Sequence, residues 1–194
     1  MCFKIENKVL KDYNYESQEP RVVIPNGVEE IGDKAFYVCS RVKEIIIPPS
    51  VKKIADCAFY KCGLVTIEIP DGVTYLGQEA FRDCEYLKSV RIGNGIDRIK
   101  AYTFKNCHNL ERLELPSYLE SVDYDAFVEC YILKSAWVGN REYRLRDNRA
   151  PRSVKKVFDS IEASRLRFID YAESGVMDEF EYTDYCIAGD GYSF

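Results

Sequence analysis

Cysteine and histidine are the residues of this chain whose possible chemistry first needs an explanation. The 194 residues include eight cysteines and one histidine, His108. Five cysteines recur at intervals of 22 or 23 residues, each three residues after a phenylalanine: Cys39, Cys62, Cys84, Cys107 and Cys130. A thiol beside an imidazole could act as a nucleophile with its general base. Neighbouring thiols could also form disulfides or bind a soft metal ion.

The regular spacing favours a structural role for these five cysteines. No C-x-x-C pair accompanies them, and free cysteine is commonly a small buried hydrophobe whose thiol is made inert by its apolar surroundings. His108 is interpreted as an exposed turn residue, since the same position of the other copies holds Ser40, Gly63, Glu85 and Tyr131. We therefore predict no catalytic residue, no metal and no cofactor. The alternative is a thiol-dependent enzyme that uses Cys57 or Cys107 with His108.

Cys57 lies outside the periodic set. It aligns with a variable position that we predict to be exposed, occupied elsewhere by Lys34, Glu79, Tyr102 and Asp125. With Cys2 and Cys186 it is the best candidate for a reactive thiol. Exposed thiols favour a reducing compartment, and the charged residues near Met1 interrupt any secretory signal. We expect a cytoplasmic protein, with the cell surface as the alternative.

An internal repeat positions the cysteines. Its most visible unit is an Ala-Phe or Thr-Phe pair at 35–36, 58–59, 80–81, 103–104 and 126–127, with spacings of 23, 22, 23 and 23 residues. A period of this length is typical of a solenoid. Alternating aliphatic residues then predict a short strand with two inward side chains, which ends at proline or glycine. The Ala-Phe-x-x-Cys stretch predicts a helical turn with phenylalanine and cysteine on one side.

The copy at residues 69–84 reads I-P-D-G-V-T-Y-L-G-Q-E-A-F-R-D-C. This pattern resembles the BspA-like leucine-rich repeats, and the resemblance covers about residues 20–139. It implies an α/β, β-rich leucine-rich repeat solenoid, with a parallel strand ladder on the concave face and short helical turns opposite. Proteins of this family present adhesive or recognition surfaces, and many are exposed on cells.

Both ends of an open solenoid need caps, because their apolar positions would otherwise face water. We predict an N-terminal hairpin cap in residues 1–20, five to six repeats in 21–140, and a helical cap with an acidic tail in 141–194. Apolar residues at helical spacing predict one amphipathic helix from Pro151 to about Glu173, near Trp137. Residues 141–156 are basic and 157–194 acidic. This asymmetry indicates either an anion-binding patch with an interaction tail, or local charge pairing.

The overall charge narrows the classes of partner. A net charge of −5 argues against general binding to nucleic acid, and no apolar run is long enough to span a membrane. The outward strand positions are the natural platform for a protein or peptide, and the candidates are Ile46, Glu68, Arg91, Arg112, Glu114 and Trp137. The leading hypothesis is a non-enzymatic scaffold that binds through this sheet or through the acidic-aromatic tail. The alternative is an adhesin-type surface protein, and the partner and oligomeric state stay open.

Overall fold

The computed structural model describes residues 3–14, 19–144, 150, 152 and 154–162. Within these residues the chain forms strands and one helix near the C-terminus, whose described residues are 152 and 154–162. The strands are β1 (Phe3–Glu6), β2 (Val9–Tyr13), β3 (Arg21–Val23), β4 (Glu30–Ile31), β5 (Glu44–Ile46), β6 (Lys53–Ile54), β7 (Thr66–Ile69), β8 (Tyr75–Leu76), β9 (Ser89–Ile92), β10 (Arg98–Ile99), β11 (Arg112–Leu115), β12 (Ser121–Val122), β13 (Ser135–Val138) and β14 (Arg141–Arg144).

The solenoid consists of five stacked coils, which we number from the N-terminus as 21–43, 44–65, 66–88, 89–111 and 112–134. Each coil contributes its first strand to a sheet of order β14-β13-β11-β9-β7-β5-β3, called here the ladder sheet. The register advances by one coil at a time, so that Ile67 pairs with both Ile45 and Val90. These aliphatic residues are buried in the interior, as the alternating pattern predicts.

A second ladder is formed by the second strand of each coil, which has two residues, and by the longer strands of the N-terminal hairpin. It comprises a sheet of order β1-β2-β4-β6-β8 and a pair formed by β10 and β12. The N-terminal hairpin enters this ladder, because β2 pairs with β4 in parallel and with β1 in the antiparallel sense. Its tight turn has Asn7 and Lys8 at φ 49° and 65°, the left-handed conformation that favours hairpin closure. The predicted hairpin therefore covers the first coil.

The Ala-Phe-x-x-Cys segments are turns, where the residue spacing predicted helical turns. In coil 2 the N–H of Phe59 donates to Ala80 of the next coil at 2.8 Å, whereas the N–H of Cys62 donates back to Phe59 at 3.1 Å. Cys57 and Lys61 adopt φ of 55° and 53°. These left-handed residues turn alternate amides toward the neighbouring coil. A helix would satisfy its amides internally and could not bond to the next coil in this way.

Stacked aromatic rings run through the centre of the solenoid. Successive ring centroids lie 5.0–5.4 Å apart along the column Phe3, Tyr13, Phe36, Phe59, Phe81, Phe104 and Phe127. The five phenylalanines of the coils are fully buried. Offset or tilted ring pairs add to the free energy of burial, so the column couples each coil to its neighbours.

The C-terminal end is covered by a hairpin and the helix. Strand β13 continues the ladder sheet as predicted, and β14 folds back on it in the antiparallel sense, which the sequence reading did not predict. On the helix, Val154, Val157 and Ile161 are buried. The hydroxyl of Ser160 donates to the backbone carbonyl of Tyr124 in coil 5 at 2.9 Å. The rest of the predicted helix, to Glu173, and the acidic tail lie outside the described residues.

Candidate functional site

Strands β3, β5, β7, β9, β11 and β13 each contribute one side chain to a row on the outward face of the ladder sheet, called here the outer row. Its members are Val23, Ile46, Glu68, Arg91, Glu114 and Trp137. Backbone register places Glu68 opposite Arg91, Arg91 opposite Glu114, and Glu114 opposite Trp137. Four of the residues singled out in the sequence are therefore adjacent on neighbouring strands. Ile46 pairs with Val23 toward the N-terminal edge.

Arg91 is held in the middle of the outer row by two carboxylates of the preceding coil. Its guanidinium donates to Glu68 Oε1 at 3.2 Å and to Asp71 Oδ1 at 3.2 Å. Asp71 also accepts the backbone N–H of Asn94 at 3.0 Å. This backbone hydrogen bond, together with Arg91, lowers the pKa of the Asp71 carboxyl below its usual value. The sequence reading missed Asp71, although its place in the Pro-Asp-Gly turn after β7 could have indicated it.

A cation and an aromatic ring meet at the C-terminal end of the row. Arg112 lies two residues before Glu114 on β11, and its Nε donates to Glu114 Oε1 at 3.1 Å. The Arg112 guanidinium lies 4.5 Å from the centroid of the Trp137 ring. This stacking presents a flat surface of mixed cationic and aromatic character.

The N-terminal end of the outer row is apolar. Val23 is 58% exposed and Ile46 is 38% exposed, and the two residues lie opposite each other on β3 and β5. The row thus changes from an apolar end through a band of charge pairs to a cation–aromatic platform. Such a surface can bind another molecule by apolar burial, hydrogen bonding and stacking.

The periodic cysteines line the interior, which confirms their predicted structural role. All five are free and buried. The thiols of Cys84, Cys107 and Cys130 donate to the carbonyl of the phenylalanine in the preceding coil, at 3.1–3.2 Å. Burial raises the pKa of Cys84 to about 12, and it raises the pKa of Cys107 well above the ordinary value. A thiol of this kind is almost entirely protonated at neutral pH and is a poor nucleophile.

His108 is engaged at the surface and has no link to a thiol nucleophile. Its Nε2 lies 3.5 Å from Glu129 Oε2, and its ring stacks on Tyr131 with centroids 5.4 Å apart. Cys107 instead directs its thiol to Phe81 in the core. Among the residues described by the structure, no cluster of three or more His, Cys, Asp or Glu side chains could hold a metal ion.

The prediction that Cys57 is exposed is wrong. Cys57 is only 2% exposed, packs with the fully buried Tyr60, and is disulfide-bonded. The reason is that its turn position is covered, which the variability of that position across the repeats does not reveal. Cys57 therefore gives no support for a reducing compartment, and the other two candidate thiols, Cys2 and Cys186, lie outside the described residues. In the described part of the chain, no helix is long and apolar enough to cross a membrane.

Coils of 22 or 23 residues, with two strand ladders and a core of stacked phenylalanine and buried cysteine, define a leucine-rich repeat solenoid. The sequence model of one protein family, the BspA type leucine-rich repeat region, matches residues 4–134 in six copies. The chain belongs to this family, as the resemblance in its sequence implied.

Solved structures of similar proteins support the same fold. A leucine-rich repeat protein from Bacteroides ovatus shares 34% identity with a TM-score of 0.57, over 59% of this chain and 30% of that protein. One from Eubacterium ventriosum shares 25% identity with a TM-score of 0.64, over 69% of this chain and 37% of its own. The pneumococcal vaccine antigen PcpA shares the fold, with 21% identity and a TM-score of 0.56. The match covers 70% of this chain and 40% of PcpA. The chain thus spans about a third of the length of the first two relatives, and no curated protein matches it.

Proposed function

We propose that this chain is a non-enzymatic scaffold that binds a protein or peptide through the outer row, on the concave face of the ladder sheet. The observation that carries the proposal is the continuity of that row from an exposed apolar pair, Val23 and Ile46, to the Arg112–Trp137 stack. In this proposal residues 1–20 and 141–194 serve as caps, and 21–140 form the binding array.

The dimensions of the outer row suit an extended peptide or one face of a small module. Six strands at a spacing of about 4.8 Å cover roughly 25 Å. Apolar burial at Val23 and Ile46 would supply affinity, and tryptophan and arginine are the residue types that most often dominate binding energy. Arg91 already has two carboxylate partners, so its charge would contribute mainly to orientation and selectivity.

The enzyme alternative receives no support from the chemistry of the side chains. Cys107 is fully buried with a raised pKa, and Cys57 is disulfide-bonded. His108 bonds to Glu129 at the surface. A nucleophile must present a thiolate to its substrate, and neither cysteine does so.

The disulfide at Cys57 favours the alternative location outside the cytoplasm. Disulfides persist mainly in oxidising compartments and are rare in the cytosol. We therefore propose a cell-surface or secreted location and an adhesin-type role for the same binding face. Localisation in the source organism by surface protease treatment would test this proposal, and protection of the chain in intact cells would contradict it.

The binding proposal predicts that the outer row decides affinity for peptide ligands. Peptides selected from a random library on the immobilised full chain should lose at least about tenfold in affinity when Trp137 and Arg91 are both replaced by alanine, which corresponds to about 1.4 kcal/mol. Titration calorimetry measures the change. Arg98→Ala is the matched control, because Arg98 is an exposed arginine with one carboxylate partner on the other ladder. Equal affinity in the double variant and the control, or no selected peptide, would contradict binding through this face.

A further inference from the structure

The ladder sheet ends at its N-terminal side in a strand edge, formed by β3. This strand is the last of the sheet and pairs with β5 on one side. The N–H of Ile24, just after β3, donates to the carbonyl of Ile46 in β5 at 3.1 Å. Successive residues of a strand direct their backbone groups to alternate sides. The N–H and C=O groups of Arg21 and Val23 therefore point away from β5.

This edge is unpaired within the described part of the chain. No described residue bonds to the N–H or C=O groups of Arg21 or Val23. Val23 is 58% exposed, against 38% for Ile46 at the same position of β5. The Arg21 side chain turns toward Glu44 of β5, with Nε 3.2 Å from Oε2. It therefore does not shield the backbone edge.

Two other edges at the ends of the solenoid carry features that oppose strand pairing. Strand β14 has charged residues at three of its four positions, Arg141, Glu142 and Arg144. Strand β1 has a bulge between Lys4 and Ile5. Charged side chains and bulges are common ways in which a protein protects its strand edges. Strand β3 has no bulge, and its one charged side chain is paired within the sheet.

The N-terminal hairpin stands as a wall beside the β3 edge. Strands β2 and β1 extend the second ladder by one and two strand spacings beyond β4 of coil 1, whereas the ladder sheet ends at β3 of the same coil. The hairpin thus projects about 10 Å beyond β3 along the axis. A step of this height has room for one or two added strands.

The inner face of this hairpin is apolar and partly uncovered. Phe3 pairs with Tyr13, and Ile5 pairs with Leu10. Directly paired residues of two strands share a face. Leu10 and Tyr13 are buried in the core, whereas Ile5 is 39% exposed. A strand beside β3 would lie opposite these side chains, as the ladder strand of each coil lies opposite the second ladder.

The shape of the step favours a single strand over a second copy of this chain. A second copy that continued the ladder sheet across β3 would bring its own coil 1 to the depth of β2, where the hairpin already lies. Stable dimers also use about 20–30 residues on each side, whereas β1 and β3 together have seven. An isolated extended segment meets neither obstacle.

We propose that the β3 edge binds an extended segment of another polypeptide, which joins the ladder sheet as a parallel strand in the place of a further coil. Arg21 and Val23 present the same backbone groups with which Glu44 and Ile46 bond to β3, and that pairing is parallel. Main-chain hydrogen bonds supply affinity, and alternate aliphatic side chains of the segment pack on Ile5. The site consists of β3 and the hairpin, so it does not require binding along the rest of the outer row.

A labelled peptide of residues 86–93, which contains β9, is the probe, and fluorescence polarisation with the full chain measures its affinity. In the ladder sheet the N–H groups of Val90 and Ile92 face the following strand, β11, so they would face β3 in the added strand. N-methylation of both should weaken binding at least about tenfold. N-methylation of Ser89 and Arg91, whose N–H groups would face solvent, should change it less than twofold. Equal or reversed effects, or no binding of the unmodified peptide, would overturn the proposal.

Variants of the chain locate the binding site. Val23→Pro removes an N–H from the open edge but no bond to β5, and it should weaken binding of the unmodified peptide at least about fivefold. Val23→Thr keeps the N–H and should bind at least about threefold more tightly than Val23→Pro. Ile5→Ser should weaken binding about threefold or more, because apolar contact is lost. Protection of the five core thiols from alkylation shows that each variant is folded.

Two results with these proteins would contradict strand addition at β3. The first is equal affinity of the peptide for Val23→Pro and Val23→Thr, which would place the peptide elsewhere. The second comes from sedimentation: a wild-type dimer that Val23→Pro dissociates would show that a second copy of the chain occupies this edge.

Discussion

At the scale of single residues, the cysteine column shows how a polar atom can be used inside a repeat core. The Cys84 thiol donates to the Phe59 carbonyl of the preceding coil at 3.1 Å, and Cys107 and Cys130 repeat the arrangement. A serine at this position would have a stronger need for partners, whereas an alanine would leave the carbonyl without this donor. Cysteine is small and weakly polar, so it fills the space and keeps the bond.

The raised thiol pKa predicts a loss of stability in alkaline solution. Burial raises the pKa of Cys84 from 9.0 to about 12. The folded state then retains a proton that the unfolded chain releases, so the stabilisation is complete below pH 9 and is lost as the pH rises toward 12. Between these limits one such thiol makes the free energy of unfolding fall by an additional amount of about 1.4 kcal/mol per pH unit. The free energy of unfolding of Cys84→Ala, measured in urea at several pH values, should fall less steeply with pH than that of the wild type, by about this amount.

Leu87→Ala provides the control for this experiment, because Leu87 is a fully buried residue of the same coil and does not titrate. It should lower stability at every pH without changing the slope. A slope in Cys84→Ala equal to that of the wild type would show that Cys84 ionises in the folded state as readily as in the unfolded chain.

Residue identity predicts the interior better than it predicts the turns that carry the Ala-Phe and Thr-Phe pairs. The phenylalanine and cysteine positions follow from the repeat alone, since each coil must bury the same groups against its neighbours. Cys57 could not be assigned in this way, because a different residue stands at its position in every coil, and this variation gives no sign that the position is buried. Arg91 and Trp137 were placed on the outer row by strand alternation, but alternation does not reveal that Arg91 is paired with Asp71.

At the scale of elements, the shortened second coil depends on one glycine. Gly63 follows Cys62 where coil 2 has one residue fewer than the other coils, and its N–H donates to the Cys39 carbonyl at 3.0 Å. A Cβ at Gly63 would lie 1.9 Å from the Ser40 carbonyl oxygen. Because the obstacle is backbone of the adjacent coil, a rotamer change cannot relieve the clash.

We therefore expect Gly63→Ala to destabilise the protein by about 1–3 kcal/mol, the usual cost of forcing atoms into a packed site. The midpoint of urea unfolding measures this change. Gly72→Ala is the control, since its Cβ would lie 3.1 Å from the movable Lys52 Nζ and 3.2 Å from the Pro49 carbonyl oxygen. The control should lose less than half as much free energy of unfolding as Gly63→Ala. Equal midpoints for the two variants would contradict the backbone clash.

The strands were predictable because alternation has a period of two, which no other element shares. The turns were not, since a three-residue spacing fits both a helical turn and the observed chain of turns with left-handed residues. Lys34 and Cys57 adopt positive φ without being glycine or asparagine, so residue type gave no signal. Strand β14 was missed for a different reason: it follows the last coil, where the repeat no longer provides a template.

At the scale of the whole molecule, a solenoid is stable only if each coil is covered on both sides. Coils pack mainly on their neighbours, so the free energy of unfolding depends on the neighbour interfaces and on the two caps. Here the hairpin of β1 and β2 covers coil 1, and the helix together with the hairpin of β13 and β14 covers coil 5. Loss of one cap should expose the coil beneath it first, while the far end keeps its neighbours.

Val157→Asp tests this dependence at the C-terminal cap. Val157 is fully buried on the helix that packs on coil 5, and an unpaired carboxylate there would be strongly unfavourable. Hydrogen exchange followed by mass spectrometry should show amides around Leu133 exchanging at least about tenfold faster, whereas amides around Leu10 in the N-terminal hairpin change little. Asp159→Ala, at an exposed position of the same helix, should leave both regions as in the wild type. Equal acceleration of exchange at Leu133 and Leu10 would contradict this expectation, since it would mean that the coils unfold as one unit. Coupling between coils through the phenylalanine column would then exceed the stabilisation that the cap supplies.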